Sequence, residues 1–113
     1  MRRYVVLYSA PKTVAERFAQ ATPDESQKGF QLWVDWQKKI GTGLVDPGKP
    51  LGNAMNVTQN GVTESDSNVI GMSILQANTM DEALEMVKYH HHLQWAEECE
   101  IDILEEVAIP ELQ

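Results

Sequence analysis

Residues 68–76 alternate between apolar side chains and small or polar ones. This two-residue period is typical of a strand with one buried face, because successive side chains of an extended chain point to opposite sides. The segment therefore predicts a half-buried strand that ends near Gln76. Ile70, Met72 and Ile74 are predicted on one face of the strand, and Gly71 and Ser73 on the other.

A capped helix is predicted directly after this strand. The Thr79 hydroxyl can accept a hydrogen bond from the amide three residues on, and Glu82 can reach back to the amide of Thr79, which is the pattern of a capping box. Apolar residues then recur at spacings of three and four, so one stripe of the helix can pack on a sheet. This stripe consists of Met80, Ala83, Leu84 and Val87.

Residues 100–105 predict the last strand of the chain. Ile101 and Ile103 alternate with Glu100 and Asp102, which gives this strand an apolar face and a solvated face. Strand, helix and strand thus follow one another between residues 68 and 105.

The first half of the chain repeats this succession with a longer connection. Residues 4–8 are predicted as a strand and residues 14–19 as a short helix. A long helix is expected from Pro23 to about Ile40, because Thr22 can act as its N-cap and proline is favoured in the first turn. Gly41 and Gly43 are expected to end this helix. Its wide apolar face comprises Phe30, Leu32, Trp33, Trp36, Gln37 and Ile40.

The segment that follows the long helix is rich in proline and glycine. Residues 44–51 predict turns. Residues 55–58 are expected to form the second strand. Asn60-Gly61 is a strong signal for a two-residue hairpin that leads into the third strand.

These elements follow the order strand, helix, strand, strand, helix, strand. This is the order of a ferredoxin-like α+β domain, in which an antiparallel sheet carries both helices on one face. We expect the other face to carry Val5, Leu7, Leu75 and Leu104. Because such a face is too apolar to leave in water, we expect it to pack against a second copy as a homodimer.

The length of 113 residues fits a single domain that spans residues 1–113. A hydrophobic content of 42% and three tryptophans indicate a folded globular protein. No apolar run approaches the roughly 20 residues that cross a bilayer, and the N-terminus does not resemble a secretory signal. The lone Cys99 cannot form an internal disulfide. We therefore expect a cytoplasmic protein.

Acidic residues outnumber basic ones by 17 to 9, which gives the chain a net charge of −8. Nucleic acids and anionic membranes are bound chiefly through lysine and arginine, so neither is an expected partner. The acids concentrate in residues 97–111, a segment without lysine or arginine. Such charge runs usually form a solvated surface, which is the interpretation we adopt for this one.

Several segments, in their order and spacing, resemble the YCII-related family of small proteins. They are residues 4–8, Trp33 and Trp36, residues 44–52, residues 69–77, His90-His91-His92-Leu93 and residues 100–105. The resemblance covers nearly the whole chain. It implies a ferredoxin-like domain that dimerises sheet to sheet as an α+β barrel, with a cleft between sheet and helices. In that family a histidine and an aspartate in the cleft have been taken as a sign of enzymatic chemistry on small molecules.

The tripeptide His90-His91-His92 allows three interpretations. Neither an extended segment nor a helix brings all three rings to one ion, so the tripeptide alone does not predict a metal site. His90 and His92 with a carboxylate from elsewhere form a candidate facial metal site. The histidines can instead cap a helix end and contact the core. The third interpretation is proton transfer. The carboxylates considered for the metal site are Asp46, Glu64 and Asp66.

Proton transfer gives the candidate site its residues. His90 or His92 would act as general acid or base, with the carboxylate of Asp46 or Asp66 orienting the ring. We expect neither a metal nor another cofactor. Cys99 is disfavoured as a nucleophile because its glutamate neighbours raise the pKa of the thiol. The candidate ligand contacts are Tyr8, Trp33, Trp36 and Ser73, although the spacing of the tryptophans also suits packing on the sheet.

Two functional classes stay open. One is a small enzyme that uses a cleft histidine for acid–base chemistry on a small organic molecule. The other is a non-catalytic dimeric module that binds a metabolite or a protein partner through the cleft or the acidic rim. Replacement of His90 and His92 by glutamine distinguishes them, because only the enzyme would lose turnover.

Overall fold

The computed structural model describes residues 1–110, and the last three residues of the expected domain, 111–113, lie outside the described residues. The α-helices are α1 (Lys12–Ala19), α2 (Pro23–Ile40) and α3 (Met80–Val87). Short 3-10 helices follow α2 at Gly41–Gly43 and α3 at His91–Gln94. The strands are β1 (Arg2–Ser9), β2 (Leu44–Pro50), β3 (Met55–Thr58), β4 (Gly61–Glu64), β5 (Val69–Ala77) and β6 (Glu100–Glu105).

Four strands form the main sheet, in the spatial order β2, β5, β1, β6, and every neighbouring pair is antiparallel. Side chains from α2 and α3 share one core with the central strands, so both helices cover the same face. This arrangement confirms the expected ferredoxin-like α+β fold. No helix within residues 1–110 combines the length and the apolar character needed to cross a bilayer.

The covered face of the sheet is set by cross-strand pairing. Tyr4, Val6 and Tyr8 of β1 are buried beneath the helices. Leu75 stands opposite Tyr4 in the register and is also fully buried, so the prediction that Leu75 lies on the outer face was wrong. The small residues Gly71 and Ser73 lie on this covered face as well. Gly71 leaves room for the ring of Tyr8, because a Cβ at Gly71 would lie 3.5 Å from that ring. The predicted alternation holds from Gly71 to Ala77, with Met72 and Ile74 facing outward, but it was wrong for Ile70, which packs against the core and lines the cavity.

The outer face of the sheet is apolar along its centre. Val5 stands opposite Ile74, and Leu7 stands opposite Met72. All four side chains are only partly buried, and the neighbouring Leu104 is 50% exposed. We call these five residues the outer face.

The second sheet strand lies earlier than the sequence predicted. Residues 44–50 form β2 and pair with β5, although they contain two prolines and a glycine. The strand is at the sheet edge, where prolines are tolerated, and its register shifts twice. Met55–Thr58 instead pairs with Gly61–Glu64 in a separate two-stranded sheet. A hairpin forms here as Asn60-Gly61 predicted, but its two loop residues are Gln59 and Asn60, because Thr58 stands opposite Gly61. The hairpin leads into β4 and not into the third strand of the main sheet.

The long helix begins and ends where its capping residues predicted. The Thr22 hydroxyl accepts from the Glu25 amide at 3.2 Å, and the Glu25 carboxylate accepts from the Thr22 amide at 3.4 Å. Gly41 ends α2 with a φ of 60°. In α3 the capping box is incomplete: Thr79 accepts from the Glu82 amide, but Glu82 accepts from the Asn78 amide instead of that of Thr79.

The predicted apolar stripes were partly wrong. Phe30 and Leu32 on α2 are 66% and 44% exposed, and Leu84 on α3 is 42% exposed. The partly buried Met86 packs against the core in α3, and its carbonyl accepts a hydrogen bond from the Trp36 Nε1 at 2.9 Å. The helices thus contact each other as well as the sheet, which shifts the buried stripe of α3 toward α2.

Candidate functional site

A cavity of 390 Å³ lies between the sheet and α2. Strand β2 and the segment after α3 complete its wall. Five aromatic side chains line the cavity. Phe30 is one of them, and it is exposed because it faces the cavity and not the core. The aromatic residues are Tyr8, Phe18, Phe30, Trp33 and Trp95. This size and this lining are typical of sites for small organic molecules.

The aromatic rings support one another through edge contacts. Trp33 meets Tyr8 at a centroid distance of 5.1 Å and Trp36 at 5.7 Å, both nearly perpendicular. Trp36 itself is 7% exposed and lies in the core, where it supports Trp33 without lining the cavity. Phe18 and Trp95 form a second edge contact at 4.6 Å on the cavity wall. The wall is thus rigid where the rings interlock.

Tyr8 is held by a buried hydroxyl chain. The Ser73 hydroxyl donates to the Pro47 carbonyl at 2.8 Å, so Tyr8 must donate its own proton to the Ser73 oxygen at 2.9 Å. Burial raises the pKa of Tyr8 to about 12, and the bond to Ser73 lowers it in part. Tyr8 therefore stays protonated at neutral pH, and Ser73 positions it from behind the cavity wall.

The β2 wall depends on one glycine. The Asp46 carboxylate accepts from the Gly48 amide at 2.8 Å and closes a tight turn around Pro47. Gly48 has a φ of 94°, and a Cβ there would lie 1.6 Å from the Met72 carbonyl oxygen. Only glycine fits this position, so the turn presses the backbone of β2 against β5 at the edge of the cavity.

His90 is buried behind the aromatic wall and is 1% exposed. Its Nδ1 accepts from the His92 amide at 3.0 Å, which makes it the N-cap of the second 3-10 helix and leaves the proton of the neutral ring on Nε2. The ring packs against Trp36 at 4.6 Å and Trp33 at 4.9 Å. Burial, followed by the charges of His91 and His92, lowers the pKa of His90 to about 3. His90 is therefore neutral at pH 7.

His91 lines the cavity, and its Nε2 is buried without a hydrogen-bond partner within residues 1–110. Its ring stacks on His90 at 4.1 Å and meets Trp33 at 5.0 Å. Burial, with a smaller effect from His92, lowers the pKa of His91 to about 4. His91 therefore places a neutral imidazole at the cavity wall, with a buried ring nitrogen that has no partner in the described chain.

His92 also lines the cavity, but its Nε2 is already engaged. Since the Ser9 carbonyl can only accept, the ring donates to it across 2.9 Å. This bond joins the end of β1 to the 3-10 helix that begins at His91. It thereby holds this part of the cavity wall against β1.

The predicted carboxylates lie apart from the histidines. Asp46 is engaged with the Gly48 amide, and Asp66 is exposed in the connection before β5. No histidine is hydrogen-bonded to a carboxylate in the described chain, and no three metal-binding side chains gather there at one point. Burial is the main reason that the pKa of the Cys99 thiol is raised, and Glu98 adds to the effect.

Sequence reasoning did not select several residues that line the cavity. His91 was not selected, although it lines the cavity and its Nε2 has no partner in the described chain. Gln37 was assigned only to a packing face, and Lys49 and Trp95 carried no signal, because they meet the cavity through the unpredicted strand β2 and the irregular segment after α3.

The strand order and the cavity define the class of protein: a ferredoxin-like α+β domain with a small-molecule-sized cavity between sheet and helix. A solved structure with this fold is the 5-chloro-2-hydroxyhydroquinone dehydrochlorinase from Burkholderia phenoliruptrix in complex with 2,5-dihydroxybenzoquinone. It aligns over 98% of both chains with a TM-score of 0.55 and 10% sequence identity. This likeness shows the shared fold. No protein-family model and no curated protein matches the chain.

Proposed function

We propose that this protein is a small enzyme that binds a planar ring compound in the aromatic cavity and uses His91 to move a proton. The observation that carries the proposal is the buried Nε2 of His91, which has no partner in the described chain although it belongs to a residue that lines the cavity. Buried polar atoms normally have a hydrogen-bond partner, so an orphaned one at a cavity wall favours a ligand as that partner.

The chemistry that suits this group is general acid–base catalysis. A neutral His91 can take a proton from a hydroxyl group, or from a carbon beside a carbonyl group, of the bound molecule. The new N–H bond forms as the O–H or C–H bond breaks, and the electron pair stays on the ligand. Because burial lowers the pKa of His91 to about 4, the neutral ring is a weak base, and its protonated form returns the proton readily. His90 and Trp33 hold the ring in place from behind.

Two further expectations belong to this proposal. The solved structure with the same fold contains a hydroxylated quinone, which supports a planar oxygenated ring as the ligand here. The segments that resemble the YCII-related family, together with the shared fold, support membership of that family. The cytoplasmic location expected from the sequence is kept as part of the proposal. Within the site, we assign Asp46 the role of positioning residue, because it holds the turn that forms the β2 wall.

The non-catalytic alternative rests on a specific observation. A catalytic histidine is commonly oriented by a carboxylate, and the described chain provides none at hydrogen-bond distance. A module that binds a ring compound without turning it over would need the aromatic wall and the His91 hydrogen bond, but no proton transfer.

Calorimetric titration with 2,5-dihydroxybenzoquinone tests the proposal. The wild-type protein should bind this probe, and H91F, which keeps a ring but has no hydrogen-bonding group, should bind it at least about fivefold more weakly, since a lost hydrogen bond to a buried group costs roughly 1–3 kcal/mol. The control is Y89Q, because Tyr89 is adjacent in sequence but 73% exposed. Equal binding by wild type and H91F would contradict the role of His91. Conversion of the probe by the wild type, absent in H91F, would favour the enzyme over the module.

We also propose that two copies pair through the outer face. The support is its composition: Val5, Leu7, Met72 and Ile74 stand side by side on the side of the sheet opposite the helices. The partner of this face would be a second copy of the chain, related by a two-fold axis.

A further inference from the structure

Helix α2 lines the cavity with two aromatic residues, Phe30 and Trp33, and with one amide, Gln37. At about 100° per residue, the Gln37 side chain leaves the helix within roughly 40° of the directions of Phe30 and Trp33. Trp36, which lies in the core, is on the other side of Trp33. Gln37 is half-buried, whereas the lysine that follows it is exposed. The helix therefore directs Gln37 toward the cavity and neither toward the core nor toward the bulk solvent.

The Gln37 amide differs from two other glutamine amides of the chain, which are engaged. Gln31 donates to the Asp35 carboxylate at 2.9 Å, and Gln76 donates to the Thr42 carbonyl at 2.7 Å. The Gln37 side chain makes no hydrogen bond within residues 1–110. Polar groups that are removed from water normally have a hydrogen-bond partner, and an amide offers both donors and an acceptor. A half-buried amide at an aromatic cavity wall therefore favours a polar group of a ligand as its partner.

Gln37 and His91 both adjoin Trp33. The ring of His91 lies 5.0 Å from that of Trp33, and Gln37 follows Trp33 by about one helical turn, which is about 5.4 Å along α2. The Nε2 of His91 also has no partner in the described chain. A ring compound that packs against Trp33 would thus have the imidazole and the amide near two different parts of its edge.

We propose that the ligand is a ring with two oxygen substituents, and that Gln37 binds the second oxygen while His91 binds the first. A hydroxyl or a carbonyl group suits the amide, because the amide can both donate and accept. A ring with one oxygen would fill the same space but would leave the amide unpaired. This inference rests on the proposed function, since it concerns the ligand of the same cavity. It adds the second polar contact and the residue that selects for it.

Calorimetric titrations with phenol and the three dihydroxybenzenes, in degassed buffer, test the inference. Catechol, resorcinol and hydroquinone each differ from phenol by one hydroxyl group, and its position on the ring varies. The wild-type protein should bind the best of the three about fivefold more tightly than phenol, as expected for one added hydrogen bond. Q37L keeps the approximate size of the side chain but removes the amide. This variant should lose the preference and retain the phenol affinity of the wild type.

The matched control is Q31L. Gln31 lies on the same helix, but its side chain is exposed and does not line the cavity. This variant should therefore keep the fivefold preference.

The outcomes separate the inference from the proposed function. Equal binding of phenol and all three dihydroxybenzenes by the wild type would overturn the second contact. A preference that persists in Q37L, or an equal loss of phenol and dihydroxybenzene binding in Q37L, would overturn the role of Gln37. In each case, weaker binding of 2,5-dihydroxybenzoquinone by H91F would leave the proposed function intact. If neither these four probes nor 2,5-dihydroxybenzoquinone bind at millimolar concentration, the proposed function fails as well.

Discussion

The three consecutive histidines have three different roles because the chain turns sharply between them. His90 points into the aromatic core and caps the following 3-10 helix, His91 reaches the cavity, and His92 bonds to the end of β1. One of the three interpretations of the sequence was that the histidines cap a helix end and contact the core, but the sequence could not show which histidine does so. That assignment depends on the extended backbone of His90 ahead of a 3-10 helix, and local periodicity does not predict such a turn.

Burial of a neutral His90 makes stability depend on pH. The pKa of His90 is about 3 in the folded chain and the ordinary 6.5 in the unfolded chain. Between these values the unfolded state binds one more proton than the folded state. The free energy of unfolding is therefore highest above pH 6.5. It falls by about 1 kcal/mol per pH unit as the pH is lowered toward 3.

The variant H90N should reduce this pH dependence. Its Oδ1 can still accept from the His92 amide, but it does not titrate, so the unfolding free energy should fall less steeply between pH 6 and pH 4, by about 1 kcal/mol per pH unit. Urea unfolding at a series of pH values measures this slope. The same slope in wild type and H90N would show that His90 is not the group responsible.

Strand β2 shows where element prediction fails and why. The helices α2 and α3 and the strands β1, β5 and β6 were predicted from periodicity and capping residues, because their patterns are local. The pattern of β2 is masked by Pro47, Gly48 and Pro50, and its place in the sheet is set by contacts with β5 that are remote in sequence. Because β2 supplies one wall of the cavity, this wall was missed together with the strand.

Replacement of Gly48 should disrupt this strand. G48A places a Cβ into the Met72 carbonyl at an unfavourable φ, so we expect a loss of unfolding free energy above about 3 kcal/mol, or displacement of β2 and loss of ligand binding. G52A is the matched control, because a Cβ at Gly52 meets nothing within 4 Å. Chemical denaturation of both variants measures the difference. A G48A protein as stable as G52A would contradict the described packing of β2.

The whole molecule is thin and wide. Its extents are 46, 45 and 21 Å, and its radius of gyration of 15.8 Å exceeds the roughly 13 Å of a compact chain of this length. The outer face lacks a covering layer, and the β3–β4 hairpin exposes Met55, Val57 and Val62. A second copy packed on the outer face would supply the missing layer.

The variant L7K tests this pairing. Leu7 lies on the outer face and its side chain is partly exposed in the single chain, so lysine there should preserve the fold but prevent association. Sedimentation at micromolar concentration should give a dimer for the wild type and a monomer for L7K. L84K, on the exposed surface of α3, should remain a dimer. A monomeric wild type would refute the proposed homodimer.

His91 is the proposed point at which a ligand meets the protein. Nuclear magnetic resonance of histidine-labelled protein, titrated with 2,5-dihydroxybenzoquinone, observes this contact directly. The Nε2 signal of His91 should shift in proportion to bound ligand, while that of the buried His90 shifts much less. A His91 signal that does not change when the ligand is bound would contradict the central claim.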